Sequence, residues 1–206
     1  MRNLKSILII AFLSLTVTSC NESEETMLTP VTANKVENFA APQIGNTGRG
    51  AVSGEFSKFS FKTGTQVTDD NWDIAFRGLT ILVNGGGKVG IADEPERTGE
   101  AGLLLVNDTF SNVIDVPENA IFKQDATDSY ALPIGSNNGW YSYDFINNVI
   151  NPIAGVILII KTNDGHYAKM EILNYYKNND SSNPENGRHY TFNYIYNPNV
   201  GETSFE

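Results

Sequence analysis

Two strand-like runs joined by a tight-turn signal constrain this chain more than any other feature. Residues 156–162 read VILIIKT and residues 167–176 read YAKMEILNYY, with Asn163-Asp164-Gly165 near the middle. Asp-Gly between two strand-like runs is a strong short-range hairpin signal, because the central residues of such turns tolerate positive φ. A β-hairpin linking Ile160 to Tyr167 is therefore expected. From Ala51 onward the same pattern repeats, with short apolar runs alternating with turn clusters, as in an all-β domain. Candidate strands cover residues 56–61, 72–76, 79–83, 102–106, 140–143, 156–162, 167–176 and 189–196. Helical periodicity is short throughout; residues 110–122 have room for a turn or a short helix. The expected fold is one antiparallel all-β domain over residues 51–206 with few or no helices, large enough to bury a core.

The N-terminus reads as an export segment. Arg2 and Lys5 precede an apolar stretch over residues 7–17, which is too short to span a bilayer at ~20 residues but suits a signal peptide. It ends Val17-Thr18-Ser19-Cys20, similar to a bacterial lipoprotein cleavage box, so residues 1–19 are expected to be removed and Cys20 lipidated. Cys20 is the only cysteine, which excludes an intramolecular disulfide and a thiolate cluster. Loss of Arg2 and Lys5 takes the formal charge from −10 to −12. An acidic surface argues against nucleic acid and against direct binding to anionic headgroups. Glu22, Glu24 and Glu25 follow the cysteine, as in an acidic surface-export tag or a solvated linker. Residues 20–50 are polar and read as a flexible tether, with Phe39 a candidate for an N-terminal strand.

Strand alternation sorts the C-terminal residues into faces. Tyr167, Lys169, Glu171, Leu173 and Tyr175 share one face, and Ala168, Met170, Ile172, Asn174 and Tyr176 the other. In the last run Tyr190, Phe192, Tyr194 and Tyr196 lie together. Such a face suits either a core of cross-strand aromatic pairs or an apolar wall for a planar ligand. Asp73 and Arg77, four residues apart and so ~13 Å at strand rise, are expected to face solvent or separate partners. Residues 84–88 lack the spacing of a phosphate loop and read as a turn. Residues 178–187 lack the spaced carboxylates of a calcium loop and read as a solvated hairpin loop. No nucleophile elbow, zinc-protease helix or P-loop is present, so a non-enzymatic role is expected.

The segments WDIAFRG at residues 72–78, GWYSYD at 139–144, NPIAGVILIIKTNDGHYAKMEILNYY at 151–176 and HYTFNYIYNP at 189–198 together resemble the HmuY family, the haem-binding surface lipoproteins of Bacteroidetes-type bacteria. The resemblance covers roughly residues 52–205. It implies a single all-β domain that binds haem or a related porphyrin as a ligand, taken from host haem proteins or other haem binders. It further implies transfer to a TonB-dependent receptor, and an outer-membrane lipid anchor at the cell surface. Haem iron takes His, Met, Tyr or thiolate ligands. The candidates are His189, expected as the metal ligand, with His166, Met170, Tyr175 and Tyr176. The family's paired His or Met ligands have no counterpart before Pro152, so a single ligand, a tyrosine or stacking alone remain open. A surface module for glycan or protein partners on the same fold is the alternative.

Overall fold

The computed structural model describes residues 27–46 and 50–206. The expected signal peptide, Cys20 and the acidic residues after it lie outside them. Eleven strands run in order: β1 Ala33–Ala40, β2 Ser57–Ser60, β3 Thr65–Val67, β4 Ile74–Arg77, β5 Thr80–Val83, β6 Gly102–Asn107, β7 Tyr141–Asp144, β8 Val149–Pro152, β9 Val156–Lys161, β10 Tyr167–Asn174 and β11 His189–Asn197. All their pairings are antiparallel, and the described helical structure is two single 3-10 turns, Lys177–Asn179 and Pro184–Asn186. The fold is thus all-β, as the strand pattern predicts. Residues 110–122 form turns instead of a helix.

Three sheets result: β1-β11-β10-β9-β6, β3-β2-β4-β5 and the hairpin β7-β8. The main core lies between the five- and four-stranded sheets, where Phe59, Ile74 and Phe76 meet Leu158, Met170 and Phe192. Each large sheet is also covered on its other face. Trp72, Ala75 and Leu82 pack with Phe56 and Val89, while Ile157, Ile159 and Ile195 pack with Val113 and Phe205. Burial on both faces explains why residues 156–160 are apolar without alternation. β1, inside the segment expected to be a tether, pairs with β11 and sends Phe39 into the core.

The β9–β10 hairpin forms as expected, in a three-residue form. Thr162 N–H donates to His166 O at 2.9 Å and Gly165 N–H to Thr162 O at 3.0 Å. Of the Asp-Gly pair only Gly165 takes positive φ, at +83°, the arrangement of a type I turn followed by a left-handed residue.

Residues 72–78 hold the sheets together. Asp73 is buried, and its carboxylate accepts from Phe61 N–H at the end of β2 and from Asn163 N–H in the β9–β10 turn, both at 2.7 Å. Arg77 is buried too and donates to Gly54 O and Ala92 O, with its guanidinium 4.2 Å from the Phe56 ring centroid. Both therefore have separate partners, and neither faces solvent. Both faces of the four-stranded sheet around β4 are covered, which leaves no solvent side for them. The 84–88 segment is likewise more than a turn: Asn84 is buried, and Gly85 and Gly86 bridge to Glu100 and Asp125.

Burial pushes the Asp73 carboxyl up to about 6, against the opposing pull of its two N–H donors. An unfolded Asp titrates near ~3.9, so the folded chain binds this proton more tightly. This group's contribution to stability therefore falls as pH rises from about 4 to about 6, by on the order of 3 kcal/mol. We predict that Asp73→Asn flattens this slope in urea unfolding measured between pH 4 and 7. An unchanged slope would contradict the assignment.

Candidate functional site

The candidate ligand residues do not converge on one point. His166 follows the β9–β10 turn, whereas His189 opens β11, and Tyr167 pairs with Asn197. The eight residue steps from His189 to Asn197 separate the two histidines by roughly 26 Å along the sheet, so they cannot clamp one iron together. His166 Nδ1 lies 3.0 Å from Asp164 Oδ1. Asp164 also accepts from the Thr162 and Tyr196 hydroxyls. Burial raises the Asp164 carboxyl, but these donors and His166 outweigh it and hold it at about 2. Met170 is wholly buried in the main core beside Ala168 and Ile172.

Tyr175, Tyr176 and His189 do come together, at the end of the sandwich away from the β9–β10 turn. A β-bulge between Ile172 and Asn174 breaks the alternation of β10. Leu173 is left exposed, and Tyr175 and Tyr176 are both buried although neighbours in sequence. Their rings stand edge to face, with centroids 5.5 Å apart. Tyr175 also packs on Tyr190 at 5.3 Å and on Trp140 at 5.8 Å, and Trp140 meets Tyr190 at 5.1 Å. These rings close the end of the core. The β11 aromatics Tyr190, Phe192 and Tyr194 are core residues rather than an open wall. The Tyr190 hydroxyl donates to Gly78 O at 2.8 Å, and burial pushes it well above the usual phenol range.

Two arms flank this end. One is the β7–β8 hairpin, whose tip exposes Phe145 and Ile146, each 77% accessible. Asp144 shapes the tip by accepting from Ile146 N–H and Asn147 N–H, and the Tyr143 hydroxyl donates to Asn148 Oδ1. The other arm is the loop from Lys177 to Arg188, solvated along most of its length. The arms touch the aromatic cluster from both sides: Ile150 N–H donates to the Tyr176 hydroxyl at 2.8 Å, and Gly187 packs against the Tyr175 and Tyr176 rings.

His189 is half-buried beside the second arm, with its own N–H donating to Tyr175 O. Its Nδ1 lies 3.1 Å from Asn186 O and 2.9 Å from Gly187 O. Both partners are acceptors, so Nδ1 carries the proton and Nε2 carries the lone pair in the neutral ring. That is the state in which a histidine ligates a metal, with its other nitrogen held by a carbonyl. Sequence reasoning selected His189 but missed Trp140, Phe145, Ile146 and Arg188. Their signal lay in where the loops fold, which alternation does not encode.

The model of the family described as HmuY protein matches residues 54–194 of this chain. No curated protein matches it. Among solved structures, the chain is similar to an apo HmuY analog from Tannerella forsythia, at 15% identity over 84% of this chain and 99% of that one, with a TM-score of 0.44. It is similar to a candidate HmuY-like heme binding protein from Bacteroides vulgatus, at 14% identity over 84% and 98%, TM-score 0.46. A candidate lipoprotein from Bacteroides fragilis is similar at 15% identity over 70% and 85%, TM-score 0.44.

The Ile150–Tyr176 bond is a polar link between the hairpin and the residues that follow β10. Tyr176→Phe is expected to cost about 1 kcal/mol and to speed amide exchange at Ile150, read by hydrogen exchange. Unaltered exchange there would show that the hairpin is held by its apolar contacts alone.

Proposed function

This chain belongs to the HmuY family, and we propose that it binds haem or a closely related porphyrin at the end of the sandwich between the β7–β8 hairpin and the Lys177–Arg188 loop. The observation that carries this reading is His189, whose Nδ1 is tied to two carbonyls while Nε2 has no hydrogen-bond partner among the described residues. His189 is the iron ligand in this reading. With His166 at the far end and Met170 sealed in the core, ligation is one-sided. Tyr175 and Tyr176 build the floor beneath the ligand, and Phe145 and Ile146 supply apolar surface for it.

Apolar contact can supply much of the affinity. Enclosing about 400 Å² of porphyrin face would contribute on the order of 10 kcal/mol before ordering costs. Iron ligation then selects the metal and oxidation state. The role is binding and transfer rather than catalysis. Lipid on Cys20 would tether the domain at the outer-membrane surface, where haem from host proteins passes to a TonB-dependent receptor. One acyl chain holds a protein only marginally, whereas two or three hold it stably. Cys20→Ser is expected to move the protein from the membrane fraction to the soluble fraction; retention in the membrane would exclude this anchor.

Hemin titration of the full chain tests the haem reading. A saturable Soret shift is expected, and His189→Ala should shift the band and weaken binding. A flat titration of the unaltered chain would leave a surface module for glycan or protein partners. Binding with a spectrum unchanged in His189→Ala would remove His189 as the ligand.

A further inference from the structure

Arg188 stands out among the arginines of the described residues. Arg77 is committed to two backbone carbonyls and the Phe56 ring. Arg97 is buried between Glu94 and Asp125, at 3.1 and 3.0 Å. Arg188 is half-buried and has no carboxylate within ion-pair distance among the described residues. Its guanidinium lies beside the Tyr175 hydroxyl, where it partly offsets the upward push that burial gives that phenol. It immediately precedes His189.

Its backbone is also strained. Arg188 has φ +67°, a left-handed conformation that favours glycine. The glycine next to it does not take that turn: Gly187 has φ −55°. A Cβ at Gly187 would sit tightly against Pro184 O at 3.2 Å and in ordinary contact with the Tyr175 and Tyr176 rings. A glycine at 188 would relieve the strain and keep the same loop path. An arginine there is disfavoured by its backbone, so what it offers is its side chain: a planar cation with several donors, suited to a carboxylate. Strain held at a site edge is a recurrent mark of function.

We propose that Arg188 is the anionic anchor of the site and receives a propionate carboxylate of the porphyrin. This inference rests on the haem reading above and adds to it a determinant of ligand choice. A porphyrin with free carboxylates is selected over one whose carboxylates are masked. His189 addresses the metal, and Arg188 addresses the acidic edge of the macrocycle.

The test uses the full chain, hemin and hemin dimethyl ester, with Arg188→Gly and Arg188→Lys. Glycine accepts the backbone conformation, so a urea midpoint equal to or above that of the unaltered chain is expected. Hemin affinity should fall about tenfold in Arg188→Gly and recover in part in Arg188→Lys. The ester should bind both the unaltered chain and Arg188→Gly at the same weakened level. Equal affinity of the unaltered chain for hemin and its ester, or unchanged hemin affinity in Arg188→Gly, overturns the anchor while leaving haem binding in place. Absence of hemin binding by the unaltered chain overturns the haem reading and the anchor with it.

Discussion

The buried Asp73 carboxylate is the interaction on which the arrangement of the two large sheets depends. Its two oxygens accept one N–H from the end of β2 and one from the β9–β10 turn, so a single side chain links the four-stranded sheet to the five-stranded one. A buried carboxylate is costly unless its hydrogen bonds are satisfied, and here both donors are backbone amides whose positions the sheets themselves set. The neighbouring residues extend the link. Gly78 N–H donates to Ala41 O, and Gly78 O accepts the Tyr190 hydroxyl, which joins the end of β4 to β1 and β11. The WDIAFRG segment thus serves the scaffold along its whole length and contributes no ligand-facing group.

That scaffold gives the molecule two unlike ends. At the β9–β10 end, Asp164 gathers Thr162, Tyr196, Lys62 and His166, so that carboxylate is surrounded by partners. At the opposite end the partners are less complete. His189 has one nitrogen committed, Arg188 has no carboxylate partner among the described residues, and Phe145 and Ile146 are open to water. Residues left with unused bonding capacity and exposed apolar surface mark a binding site better than residues already paired.

Much of the fold was legible in the sequence, because strand period and turn chemistry are local. Eight of the strands follow from alternating or continuous apolar runs, and Gly165 marks the central hairpin. β3 and β8 escaped this reading because they are short and only partly buried, so neither carries a run of apolar residues, although each pairs with the strand just before it. The site was legible only in part. His189 stood out as a rare residue type beside a long loop. The burial of both Tyr175 and Tyr176 did not, since the sequence pattern extends the strand through them, whereas β10 ends at Asn174 and the chain bends there. Asp73 and Arg77 read as surface charges because their partners are backbone groups, which carry no residue-specific signal.

The most direct measurement of the central claim is a crystal structure of the full chain grown with hemin, with the iron located by anomalous scattering. The account predicts an iron peak beside His189 Nε2, with the macrocycle lying between the β7–β8 hairpin and the Lys177–Arg188 loop. An iron peak beside His166, or none bound to the protein, would contradict it.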